Sequence, residues 1–255
     1  MKRNLRYSII IILTFLFAAF GKRIIELLII IPFTSTYSKI VYSYLWWIIP
    51  TIIVLGLLFN YKNIFKNTGL DKGIIIGFLF AVITVSPMFI SSAIIGKIDE
   101  NLDITSLIHK TIIAGFTEEY FFRGFLFGIL FRKLAWGFIP AASIGALIFG
   151  LGHFYQGSTL IETTSIFLVT SMGAVWFSWL YIEWDNNLWI PIFLHTFMNL
   201  SWILFEVSQN AMGGVYTNIF RIITIALTII ITIYYHKKAG LKITNNNLIF
   251  NKNNS

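Results

Sequence analysis

Apolar residues in this chain form continuous runs of about twenty, separated by short polar stretches, which is the length needed to cross a hydrocarbon core. A run at 8–20 continues through 24–33, and others fall at 40–60, 73–95, 107–131, 136–154, 164–182, 188–207 and 217–235. A membrane barrel would alternate apolar and polar positions over about ten residues. The expected fold class is therefore all-α: a polytopic transmembrane helical bundle of about eight helices. The first residues, Met1 to Arg6 before an apolar run, have the look of a signal peptide. No A-x-A site follows and a second run begins almost at once, so the reading is a retained first helix, kinked near Gly21, with Lys22 and Arg23 reaching toward an interface.

Composition strengthens this reading. Hydrophobic residues make up 57% and charged residues 12% of the 255 positions, and the mean hydropathy is +0.78, which points to lipid as the solvent. The net charge of +8 comes from scattered Lys and Arg that form no basic face, so membrane lipid is the expected partner and nucleic acid is not. With no cysteine, thiolate ligands and cysteine nucleophiles are excluded. Basic residues gather at the termini and in the second and fourth loops (Arg6, Lys66, Lys133, Lys242 and Lys252 among them), while the third loop is acidic through Asp99, Glu100 and Asp103. Positive charge stays cytoplasmic, so both termini are expected inside the cell membrane. The loop 183–187 fits less well, having no basic residue. The Asn-rich tail from Asn245 reads as a solvated end. The chain divides into helices one to three (1–104), a core of helices four to seven (105–207), and the last helix with its tail (208–255), all in one domain.

Ionisable residues inside a membrane helix cost about 2.5–3.5 kcal/mol each, so each asks for a reason. Helix four carries Glu118, Glu119 and Arg123 among aromatics. Glu119 and Arg123 stand at i,i+4 in the order that favours an ion pair, whereas Glu118 points about 100° away and is free to face a cavity. In helix five, Phe149 and His153 are one turn apart, with Gly150 and Gly152 allowing close approach of another backbone. Helix seven places His195 and Asn199 at i,i+4, an imidazole and an amide suited to oxyanion stabilisation. Each group has a plain alternative in helix-to-helix hydrogen bonding. Glu26, Glu206 and Arg221 read as structural residues near helix ends, as do His109 and His236 at the membrane boundary.

Taken in order, Glu118-Glu119-x-x-x-Arg123, Phe149-x-x-x-His153 and His195-x-x-x-Asn199 on three helices resemble the CPBP family of intramembrane proteases, which includes CAAX prenyl endopeptidases and the Abi proteins. The resemblance spans about 105–204. It implies an eight-helix fold with a conical cavity and a glutamate-dependent endopeptidase cleaving near the C-terminus of a peptide or lipidated-protein substrate. Glu118 would be the general base, aided by His153, and His195 with Asn199 would hold the oxyanion; Glu119, Arg123 and Phe149 would support them. No cofactor is then required. The residue types alone leave zinc open, with Glu118, His153 and His195 as a three-donor set, although no HExxH is present. Two other classes also remain: a non-catalytic bacteriocin-immunity or binding protein, and a transporter with an intramembrane proton relay.

Overall fold

Each apolar run folds as one helix in the computed structural model, which describes residues 2–29, 31–33, 35–98, 100, 102–208 and 210–251. The helices are α1 (Lys2–Leu28), α2 (Thr36–Phe59), a short α3 (Ile64–Thr68), α4 (Ile74–Ile95), α5 (104–133), α6 (Phe138–Gly152), α7 (Leu160–Glu183), α8 (Trp189–Ile203) and α9 (Val215–Tyr235). No strand forms among the described residues. Starts are marked by side chains that satisfy free backbone N–H groups: Ser35 caps α2 in a reciprocal capping box, Asp103 caps α5 and Thr159 caps α7. Large apolar side chains such as Leu13, Leu57, Ile75, Ile83, Ile94 and Ile230 face outward, the reverse of a water-soluble protein's surface. The chain is a multi-pass membrane protein.

Six helices are long and apolar enough to cross a membrane on length and composition alone: α1, α2, α4, α6 with its following turn, α7 and α9. The two other expected spans carry Glu118, Glu119, Arg123, His195 and Asn199. Helix α5 is continuous over 104–133 but contains two π segments, His109–Ile113 and Tyr120–Phe127, the second beginning directly after Glu119. Such widened turns recur at functional sites. Helix α8 has only 15 residues, about 22 Å, so it reaches the bundle centre without filling a full bilayer thickness.

Loops sort to two ends. At one end Arg132 Nη1, in the last turn of α5, donates to the Asn67 carbonyl of the second loop (2.8 Å), and Leu188 N, before α8, donates to the Gly69 carbonyl (3.2 Å). Trp136 Nε1 donates to Ser8 Oγ of α1 at the same end (2.9 Å). At the other end Lys97 N donates to the Phe205 carbonyl (3.1 Å) and Ala211 N to Gln156 Oε1 (2.9 Å). The termini and the even-numbered loops thus share one end.

The tail differs from expectation. Instead of hanging in solvent, it folds back: Phe138 N donates to the Asn247 carbonyl (2.8 Å), Asn251 Nδ2 to the Phe131 carbonyl (3.0 Å), and Asn247 and Asn251 are buried. The anchor is Glu183, fully buried, whose two carboxylate oxygens accept from Lys242 N (2.9 Å) and Ile243 N (3.0 Å). Lys242 also pairs with Asp185, so the tail supplies the basic residue that loop 183–187 lacks. Asp99 and Lys252 lie outside the described residues.

The apolar interior crosses the three sequence segments. Ile11 and Phe15 of α1 join Leu55 of α2, Phe121 and Phe125 of α5, Ala142 of α6 and Tyr181 of α7 in one core. A second core joins α4, α7 and α8 through Met88, Phe177 and Leu194.

Candidate active site

The densest polar cluster forms where α5 meets α8. Their close approach depends on Gly115, since a Cβ there would run into Thr196 of α8. With the backbones so near, the side chains one turn further along α5 reach His195. Glu119 is completely buried, and its Oε1 accepts both from Arg123 Nη1 at 3.1 Å and from His195 Nδ1 at 2.7 Å. Arg123, 2% exposed, lies under the rings of Phe149 (4.9 Å to the centroid), Phe177 (5.5 Å) and Phe122 (5.9 Å). Aromatic faces of this kind stabilise a buried guanidinium. The expected Glu119–Arg123 pair is present, and it has a third member that spacing along one helix does not reveal.

Since a carboxylate oxygen can only accept, His195 donates Nδ1–H to Glu119. Its other nitrogen, Nε2, faces Glu118 Oε2 at 3.9 Å. The two glutamates therefore straddle one imidazole, one through a direct bond and the other across a gap that a single water can touch from both sides at about 2.8 Å. Glu118 is partly open, its side chain 20% exposed, against 0% for Glu119. Glu119 Oε2 has no hydrogen-bond partner among the described residues, so the cluster contains one acceptor that the protein itself leaves unfilled.

His153 ends α6. Its Nδ1 lies 2.7 Å from the Phe149 carbonyl oxygen, so that nitrogen also carries the proton and the neutral ring keeps an acceptor lone pair on Nε2. Phe149 thus acts twice, through its carbonyl on His153 and through its ring on Arg123. Gly150 brings α6 against Ser171 and Phe167 of α7, whereas nothing lies within contact of a Cβ at Gly152, which does not share that role. Asn199 Nδ2 donates one hydrogen to the Lys110 carbonyl (2.9 Å) and retains a second.

Arg123, Phe149, His153, His195 and Asn199 line one cavity of about 580 Å³. It runs from the seventh loop, whose Ala211 and Met212 contribute to its wall, past the middle of α9 to Ile229. Glu118 is not among the lining residues and forms no ion pair with His153; its close neighbour in the cluster is His195. Among the described residues no three His, Asp or Glu side chains gather as metal ligands.

The cavity lining also includes Trp202, Asn218 and Arg221. Arg221 corrects an expectation, because it is buried at 9% exposure and turned inward, not reaching for an interface. The sequence signal for it was its place seven residues into an apolar helix.

Comparison with known proteins finds similarity over the same stretch of the chain. Residues 100–201 match the family model described as "Type II CAAX prenyl endopeptidase Rce1-like". The chain is 31% identical over 101 residues to the Bacillus subtilis (strain 168) protein named "Putative membrane peptidase YdiL", a match covering 40% of this chain and 37% of that relative's length. The matched stretch, residues 100–201, holds Glu118, Glu119, Arg123, Phe149, His153, His195 and Asn199, and over it the chain is similar to the type II CAAX prenyl endopeptidases.

Proposed function

We propose that this protein is a glutamate-dependent intramembrane endopeptidase, CAAX-processing-like, that hydrolyses a peptide bond of a membrane-associated protein or peptide without a resident metal. The observation that carries this reading is His195 held between two carboxylates at the edge of a cavity whose wall also contains His153 and Asn199. A structural stitch between helices needs one such bond and no cavity.

In the proposed reaction Glu118 takes a proton from water as the oxygen attacks the substrate carbonyl. His153 Nε2, its lone pair free, assists. The oxyanion that forms is held by the second amide hydrogen of Asn199 and by His195, which in its doubly protonated form donates from Nε2. Collapse of the intermediate breaks the C–N bond, and the departing amine receives the proton from Glu118. Glu119 orients His195, and Arg123 balances the charge of Glu119. With the termini and even loops cytoplasmic, in the cell membrane, the seventh-loop end of the cavity faces the outer side of the bilayer. The test is cleavage by purified protein of a substrate identified from cells: activity should persist in a strong chelator and fall to near background in Glu118→Gln, His153→Ala and His195→Ala. Loss on chelation, restored by stoichiometric zinc, would overturn the metal-free scheme.

A further inference from the structure

Toward the seventh-loop end of the cavity, two turns along α8 from His195, Arg221 and Trp202 present donors that the described residues do not fully meet. Arg221 lies six residues beyond the first residue of α9, about 9 Å along the helix, with its guanidinium 4.2 Å from the Trp202 ring centroid. One of its hydrogens goes to the Ala211 carbonyl (Nη2, 2.8 Å). Among the described residues no carboxylate forms an ion pair with it. Glu162, at the same end of the bundle, is occupied by Ser158 and Asn210. Beside Arg221, Trp202 Nε1 is buried and has no hydrogen-bond partner among the described residues. A guanidinium presents five donors and cannot lose its charge in a protein, so burying one among Trp202, Ile222 and Ile225 with no acid nearby is costly unless an anion completes the site. Arg123, in the same cavity, makes the contrast, because its acid is built in.

We propose that Arg221, with the Trp202 indole N–H, anchors the terminal carboxylate of a bound peptide, so that the substrate's C-terminus is fixed against α9 while the scissile bond lies toward His195. This deepens the endopeptidase reading and rests on it for the word substrate. A carboxylate presents two coplanar acceptor oxygens that match a guanidinium in pairs. Such an anchor would set, by its distance from the catalytic group, how many residues lie beyond the cut.

The test reads binding, not turnover, and uses the full chain in detergent and in nanodiscs, in both wild-type and Glu118→Gln forms. N-acetyl-Leu-Phe with a free carboxylate is compared with its C-terminal amide. The acid should bind about tenfold more tightly than the amide, the value of one charge-assisted contact. Arg221→Gln should erase that preference, Arg221→Lys should keep part of it, and Trp202→Phe, which retains the ring but deletes the donor, should reduce it several-fold. A structural role for Arg221 in holding the 204–214 loop would lower stability without changing the acid-to-amide ratio. Equal binding of acid and amide by the wild-type protein, or an unchanged ratio in Arg221→Gln, overturns the proposal. Should Arg221→Gln not fold, an unchanged ratio in both Arg221→Lys and Trp202→Phe overturns it equally. Displacement of the acid by phosphatidylglycerol but not phosphatidylcholine nanodiscs, with no acid-to-amide preference, would make a lipid headgroup the occupant instead. If the preference holds while no peptide is ever cleaved, the anchor stands and the endopeptidase reading fails.

Discussion

Arg123 and Glu119 are both shut away from solvent, and His195 completes the group through its 2.7 Å bond. Removing one member of such a buried pair leaves an uncompensated charge, worth about 3–5 kcal/mol. Arg123→Ala is therefore expected to lower protein level and shift thermal unfolding in detergent downward. If the variant instead keeps its thermal stability and loses only turnover, Arg123 acts in the chemistry and not as a support. Asn199 is a different case, since it cannot titrate and contributes a single donor. Loss of one oxyanion donor costs about 10² to 10³ in rate, so Asn199→Ala should retain measurable cleavage where Glu118→Gln does not, with the two compared in one single-turnover assay.

At the scale of helices, the approach of α5 to α8 is the element on which the site depends. Gly115 sits where Thr196 leaves no room for a side chain, so Gly115→Leu should push the helices apart and separate Glu119 from His195. The expected outcome is loss of activity with wild-type membrane insertion, seen as normal abundance in the membrane fraction alongside abolished cleavage; full activity in Gly115→Leu would contradict it. The reach of sequence reasoning shows clearly here. The Glu119–Arg123 pair and the Phe149–His153 turn were legible because i,i+4 spacing on one helix fixes which side chains meet. The His195–Glu119 bond was not, because it depends on interhelical distance, which no spacing along the chain encodes. For the same reason Glu118 was matched with His153 in the sequence, while in the fold its nearest imidazole is His195.

For the whole molecule, alternation of apolar runs was enough to give an all-helical multi-pass bundle, since lipid permits little else. The tail was misread because its Asn-rich composition matches solvated segments, yet Glu183 collects its backbone N–H groups inside the protein. Glu183→Ala should release residues 242–251, read as faster proteolytic trimming of the C-terminus; unchanged trimming would contradict the anchor. The shared end of the termini and even loops also gives orientation a direct test. Cysteines at Arg6, Lys66, Lys133 and Lys242 should be shielded from an impermeant reagent in intact cells, and labelling of Lys66→Cys from outside would reverse the topology. The central claim, that Glu118 drives peptide-bond hydrolysis, is tested most directly by comparative peptidomics of cells carrying the wild-type gene, no gene, or Glu118→Gln at matched protein level. Fragments present only with the wild-type protein, and absent with Glu118→Gln as in the null, are the predicted result. A Glu118→Gln strain whose peptides and phenotype match wild type would contradict it, and would leave the same residues as the core of a binding or immunity protein.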